Sequence, residues 1–215
     1  MVGRHLAHEH RFVCLTDDPA GLDESVEAIA LPGDLPGYWN KIILFRRDLF
    51  EPGTTLLYFD LDLVVVDALD PLLEGETNLT IVKAFGVGAG FNSSVMRIRA
   101  GSLPHVYERF IKDADAIIAS GRFAGDQNWI FDQAPDAALF SPGTIVSYKR
   151  DMPSHILLRA KKLGLDFLKA PRWMAVSPPA GAAIVVFHGK PDPEDVMDAP
   201  YGPWKRAPFV KEHWR

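Results

Sequence analysis

The stretch Leu56-Leu57-Tyr58-Phe59-Asp60-Leu61-Asp62-Leu63-Val64-Val65-Val66-Asp67 sets two aspartates, one residue apart, inside an otherwise apolar run. A continuous apolar run predicts a strand buried on both faces, as in a parallel sheet. Carboxylates do not belong inside such a strand, because burying an unpaired charge is costly. The pair therefore predicts a strand that ends at a pocket where a cation neutralises the acids. Side chains alternate along a strand, so Asp60 and Asp62 are expected on one face. Two hard oxygen ligands on one side suit Mg²⁺ or Mn²⁺, with phosphates completing the shell. The plainer alternative is a strand edge whose acids face water. The apolar neighbours favour a deep location over that alternative.

The rest of the chain bounds the setting. A length of 215 residues fits one domain spanning 1–215 with a full core. Hydrophobic content of 47% and charged content of 24% are ordinary for a globular protein. The net charge of −5 argues against a nucleic-acid partner. No apolar run approaches the roughly 20 residues of a membrane span, and Met1 to Arg11 is polar and histidine-rich rather than signal-like. Cys14 is the single cysteine, so an internal disulfide is excluded, and it reads as a buried inert thiol. A cytoplasmic location is the expectation.

Strand-like segments alternate with helix-like ones. Arg11–Leu15, Val26–Ala30, Leu56–Asp67, Leu79–Phe85, Asn92–Ile98 and Ala182–Phe187 read as strands. Tyr38–Phe50, Leu103–Ala119 and Asp126–Gln133 read as helices, and Asp70-Pro71-Leu72-Leu73 as a helix start. Ser147–Pro179 reads as irregular, and the aromatic tail (Tyr201, Trp204, Phe209, Trp214) as packed on the body. The alternation predicts an α/β fold whose sheet is mostly parallel and flanked by helices. Ligands of such sheets sit beyond the carboxyl ends of the strands, so Asp60, Asp62, Asn92 and His188 are expected to converge on one crevice.

Several residues carry a chemical and a plain reading together. His188 follows an apolar strand and could add an imidazole ligand, which favours Mn²⁺ over Mg²⁺; a lone histidine at a strand end is more often a structural one. Gly189-Lys190 could meet a phosphate, the glycine by close backbone approach and the lysine by charge. The other histidines, His155 among them, show no ligand spacing. Gly86, Gly88 and Gly90 are spaced GxGxG and precede a strand, so they are no dinucleotide fingerprint and read as a flexible turn. Asp126 opens a helix and could be only its cap. Lys41 taken alone would be a solvated lysine. Lys149, Arg150, Arg159, Lys161, Lys162 and Arg172 could line an acceptor side or form a solvated basic surface.

Five motifs in order resemble the retaining glycosyltransferases of the glycogenin and bacterial galactosyltransferase type. They are Trp39-Asn40-Lys41, Asp60-Leu61-Asp62 leading into Asp67-Ala68-Leu69-Asp70-Pro71-Leu72, Phe91-Asn92-Ser93-Ser94-Val95-Met96, Gly125-Asp126-Gln127 and Phe187-His188-Gly189-Lys190-Pro191. Together they cover roughly residues 38 to 191. The resemblance implies a GT-A (Rossmann-like) fold, a nucleotide-sugar donor such as a UDP-sugar, and a carbohydrate or other hydroxyl acceptor. It implies Mn²⁺ (or Mg²⁺) on Asp60, Asp62 and His188. It implies Lys41, Asp60, Asn92, Ser93, Gly189 and Lys190 at the donor, Asp126 holding the donor sugar, and Gln127 beside the reacting face. The acceptor hydroxyl would attack from the face the leaving group departs, so the paired-carboxylate scheme of glycosidases would not apply.

The chain departs from that pattern in three places. His188, Gly189 and Lys190 are consecutive where the family spaces them out. Ser94 stands where the family has glycine. Only the end of the first helix is present, in Val2-Gly3-Arg4-His5-Leu6, so the family's first strand is expected to be missing, leaving a gap or an open edge. These departures predict that the chain binds nucleotide weakly or not at all. Two rival readings remain. A haloacid-dehalogenase-like phosphatase would use Asp60 as nucleophile, Asp62 as general acid and Mg²⁺, with Lys83 and Asp126 in its later motifs. A non-catalytic module would keep the fold alone.

Overall fold

The computed structural model describes residues 1–31, 33, 35–86, 90–153, 159–160, 162–165, 171 and 173–214. The expectations for Gly88, His155, Lys161 and Arg172 lie outside those residues. The described strands are β1 (Val13–Thr16), β2 (Glu27–Ala30), β3 (Thr55–Phe59), β4 (Leu63–Val65), β5 (Leu79–Lys83), β6 (Phe91–Arg99), β7 (Ala138–Leu139), β8 (Ile145–Ser147) and β9 (Ile184–Val186). They form three sheets with orders β1-β2, β3-β6-β5-β7 and β4-β9-β8. The described helices include α1 (Val2–His5), α2 (Pro104–Lys112), α3 (Ala114–Ala119), α4 (Asp126–Gln133) and α5 (Tyr148–Asp151). Short helices at Pro193–Val196 and Phe209–His213 lie near the C-terminus.

The apolar run around the two aspartates is two strands rather than one. β3 pairs antiparallel with β6, from Thr55↔Arg99 to Phe59↔Val95. β4 pairs antiparallel with β9 in a different sheet. Asp60-Leu61-Asp62 is the bend between them. Asp60 N–H still bonds Ser94 O on the β6 side at 2.8 Å, while Asp62 O accepts from Phe187 N beside β9 at 2.8 Å. The expected deep location holds for Leu63, Val64 and Val65, which are buried, but the bend lifts Leu61 to 92% exposure. The strands are flanked by helices in an α/β fold, as expected, but pairing is mixed rather than mostly parallel: among the described residues three pairings are parallel and three antiparallel.

β6 is the spine. It is hydrogen-bonded on both edges and buried along most of its length. Its pairing with β5 shifts register between Ile81 and Val82, which face Met96 and Asn92. Such an irregularity bends the strand locally, and here it falls beside Ser93 and Ser94. Arg97 is also buried on β6. Its guanidinium binds the carbonyls of Leu73 (2.9 Å), Glu74 and Gly75 and the hydroxyls of Thr77 (2.8 Å) and Thr80 (2.7 Å), clamping that connection to the sheet.

One core lies between this sheet and its helices. It joins Ile81, Met96 and Ile98 to Val106 and Phe110 of α2, Trp129 and Ile130 of α4, and Trp39, Ile42 and Phe45 of a 3-10 helix at Gly37–Phe45. Trp39 stacks on Phe110 with ring centroids 5.0 Å apart. The expected helix over 38–50 is thus tighter and shorter, closing at Phe45, where Arg46 N–H bonds Ile43 O. The expected helix over 103–119 is broken at Asp113, whose non-helical φ of −138° separates α2 from α3. A second core packs Val64, Val185 and Phe187 against Tyr148, Phe209 and Val210. Trp204 and Trp214 pack against that core, as the aromatic tail predicts, while Tyr201 stays exposed.

β1 and β2 pair only with each other, in parallel. Leu15 touches the first core, while Phe12 is 47% exposed. Among the described residues β1 and β3 each have one strand partner. No described helix is long and apolar enough to cross a membrane.

Candidate active site

The bend sits between two groups of polar side chains. The first is built on β3, β6, α4 and the 3-10 helix. Lys41 leaves that helix with its side chain only 10% exposed. Its ammonium lies 2.9 Å from Asp60 Oδ1, 3.1 Å from Asp60 Oδ2 and 3.1 Å from Ser93 Oγ. Asp126 Oδ2 is 3.6 Å away and accepts from Ser93 Oγ at 2.5 Å. Tyr58 of β3, two residues before Asp60, donates to Asp60 Oδ1 at 2.7 Å. Burial pushes the Tyr58 phenol far up, with Asp60 adding to it, so it remains a donor.

Physical necessity holds this group together. Asp60 and Asp126 bring two negative charges into a poorly solvated place, and Lys41 is the cation between them. Removing one partner of a buried ion pair leaves an uncompensated charge, at a cost of about 3–5 kcal/mol. Lys41 is therefore no solvated lysine, and Asp126 is more than a helix cap. Gly125 occupies the cap position of α4, and the Asp126 carboxylate is spent on Ser93 and Lys41.

The second group surrounds Asp62 and the end of β9. The Asp62 carboxylate accepts the backbone N–H of Gly189. Burial raises its pKa, and the Asp60 carboxylate raises it further; Lys41 works in the opposite direction. Gly189 has φ +66°, a left-handed conformation that favours glycine. His188 stacks on Phe85 with ring centroids 5.3 Å apart, and its Nε2 lies 2.6 Å from Ser147 Oγ. Burial, then Lys149 and Arg150, lower the imidazole pKa, which keeps the ring neutral at pH 7. Ser147 also caps α5 by accepting from Arg150 N–H, so the start of α5 and the end of β9 are tied through one hydroxyl. Lys149 Nζ donates to His188 O at 2.5 Å.

The structure thus gathers Lys41, Asp60, Ser93 and Asp126 into one network and sets Asp62, His188 and Gly189 together beside it. Asn92 Oδ1 turns back to accept Ser94 N–H at 3.2 Å. Gln127 is half-buried in the first turn of α4. Lys190 is 60% exposed and held by Asp192 at 2.6 Å and Asp195 at 3.0 Å. Lys83 is exposed at the end of β5. Sequence reasoning passed over Tyr58, read there as one more apolar residue, although its place two positions before Asp60 put it on the same strand face. It also left Lys149 between an acceptor side and a solvated basic surface, because nothing local ties residue 149 to residue 188.

These side chains do not fit a metal held jointly by Asp60, Asp62 and His188. Among the described residues no three His, Cys, Asp or Glu side chains are grouped to hold one ion. His188 Nε2 is engaged by Ser147, and both oxygens of Asp60 are engaged by Lys41.

No family model and no curated protein sequence matches the chain. Solved structures do. The glycosyltransferase GlyE of Streptococcus pneumoniae TIGR4 superposes with a TM-score of 0.57 at 17% identity, over 87% of this chain and 46% of GlyE. The galactosyltransferase LgtC, solved in complex with donor and acceptor sugar analogues, superposes with a TM-score of 0.55 at 14% identity, over 87% of this chain and 79% of LgtC. The chain spans just under half the length of GlyE. At these identities the likeness is one of fold, a GT-A-like arrangement of mixed sheets flanked by helices.

Proposed function

We propose that the chain is a glycosyltransferase that takes a sugar from a nucleoside diphosphate and passes it to a hydroxyl acceptor with retention. One observation carries this reading: the buried Lys41–Asp60–Ser93–Asp126 network, built at the sheet-to-sheet bend of a GT-A-like fold. Lys41 fixes the Asp60 and Asp126 carboxylates, whose remaining acceptor capacity suits the hydroxyls of a ribose and a hexose. Gln127 follows Asp126 on α4 and is assigned to the reacting face. The acceptor oxygen bonds the anomeric carbon, and the bond from that carbon to the diphosphate breaks with its electron pair on the departing phosphate. The acceptor proton passes to that phosphate oxygen. Charge building on the leaving group is what the protein must stabilise.

A phosphatase reading gains little support from the geometry. A nucleophilic Asp60 would need a free oxygen, yet Lys41 and Tyr58 engage its carboxylate. The test is incubation with a panel of UDP-sugars, with and without Mn²⁺, followed by chromatography for free nucleoside diphosphate. Release that is lost in Asp126→Asn is expected. Cleavage of p-nitrophenyl phosphate with no cleavage of any nucleotide sugar would reverse the assignment.

A further inference from the structure

We infer that Lys149, rather than Lys190, supplies the protein cation that receives the diphosphate of the donor. The inference rests on the nucleotide-sugar reading above and names a residue within that site. A diphosphate is a concentrated anion, and a charge-assisted hydrogen bond to it contributes more than a neutral one. The late motif puts a lysine directly after Gly189, but Lys190 is already committed. Its ammonium bridges Asp192 and Asp195 at the start of the helix Pro193–Val196. Asp192 and Asp195 also close a reciprocal cap on that helix, so drawing Lys190 away would strip the cation from two acids whose positions the helix fixes.

Lys149 has what Lys190 lacks. It stands on the first turn of α5, which Ser147 locks to the ring of His188. Its Nζ reaches His188 O, one residue before Gly189, and a Cβ added at Gly189 would meet that Nζ at 3.7 Å. A lysine ammonium carries three donors. One goes to His188 O, and among the described residues the carboxylates of Asp62 and Asp192 act on Lys149 by charge without taking a hydrogen bond from it. Two donors therefore remain for a ligand beside the bare backbone of Gly189. The carboxylate of Asp62, which bonds the Gly189 N–H, lies in the same corner. Directly after Gly189 the chain turns into the Pro193 helix, and Lys190 meets Asp192 and Asp195 there, while the Lys149 ammonium stands beside Gly189.

Titration of the purified protein with a nucleoside diphosphate and with the matching monophosphate tests this. Lys149→Met is expected to weaken the diphosphate about tenfold and the monophosphate much less. Lys149→Arg is expected to keep most of the affinity, and Lys190→Met to change it by no more than about twofold, the scale of an exposed ion pair. In the unmutated protein, amine-reactive labelling read by mass spectrometry is expected to show Lys149 protected by the diphosphate and Lys190 not. That second measurement holds even if Lys149→Met folds poorly. Wild-type affinity in Lys149→Met, a loss confined to Lys190→Met, or unprotected Lys149 in a protein that binds the diphosphate would overturn the assignment to Lys149 alone. A wild-type protein that binds neither nucleoside diphosphate nor nucleotide sugar would overturn the glycosyltransferase reading as well.

Discussion

The β6 spine and the β1–β2 ribbon are both built from apolar strand sequence, yet they are held in different ways. β6 has partners on both edges and helices across its face, and Met96 and Val95 are fully buried. β1 has one partner, and all four of its residues are only half-buried. A two-stranded ribbon is marginal on its own, and parallel strands are normally covered on both faces. Strand propensity sets local conformation, while burial on two sides sets how firmly it is kept. The polar network stands on the firm side: Tyr58 and Ser93 come from β3 and β6, and α4 brings Asp126.

The sharpest way to break this contrast is to hollow the firm side. Phe110→Ala removes a fully buried ring that stacks on Trp39 and meets Trp129 edge-on. A loss of about 3–5 kcal/mol is expected by chemical denaturation. Tyr58→Phe deletes only the bond to Asp60, and about 1 kcal/mol is expected, with a larger effect on nucleotide-sugar turnover than on stability.

Asp62→Asn probes the charge at the edge of the network. Burial and Asp60 raise the Asp62 pKa, so the folded state holds that proton more tightly than the unfolded chain does. Its contribution to stability is therefore present at low pH and lost as pH rises through the folded pKa. Asp62→Asn should raise the melting temperature at pH 7, and the gain should vanish below the ordinary carboxylate range. A melting temperature that falls at pH 7 would mean that another cation already compensates Asp62. Val13→Ala on the ribbon should cost least, below about 1 kcal/mol, since little surface there is fully removed from water. Hydrogen exchange should order the two regions the same way, with β1 amides opening first.

Much of the architecture was legible in the sequence where a local rule and the tertiary context agreed. The helix Asp126–Gln133 was read to the residue, because Gly125 stops the preceding segment and an apolar face follows. β1, β2, β5 and β6 were placed within a residue or two. The long helix over 103–119 failed at Asp113, where the periodicity carries across a break that only the backbone reveals. β7 and β8 are two and three residues long, too short to carry a pattern, and exist through pairing with β5 and β9. At the site, Asp60 and Asp62 stood out because acids in an apolar run are anomalous. Lys41 was harder to see, since its burial depends on Asp60, Ser93 and Asp126, which lie 19 to 85 residues further along.

The bend between β3 and β4 gives the two aspartates separate anchorages. Asp60 is pinned by its amide to Ser94 on one sheet, and Asp62 by its carbonyl to Phe187 on the other. The pair works as a caliper whose jaws belong to different sheets. Any sliding of one sheet over the other opens or closes the gap between the carboxylates without a side chain changing rotamer. Seating a ligand across the bend would in turn fix these two sheets against each other, so the site would act as a fastener between them.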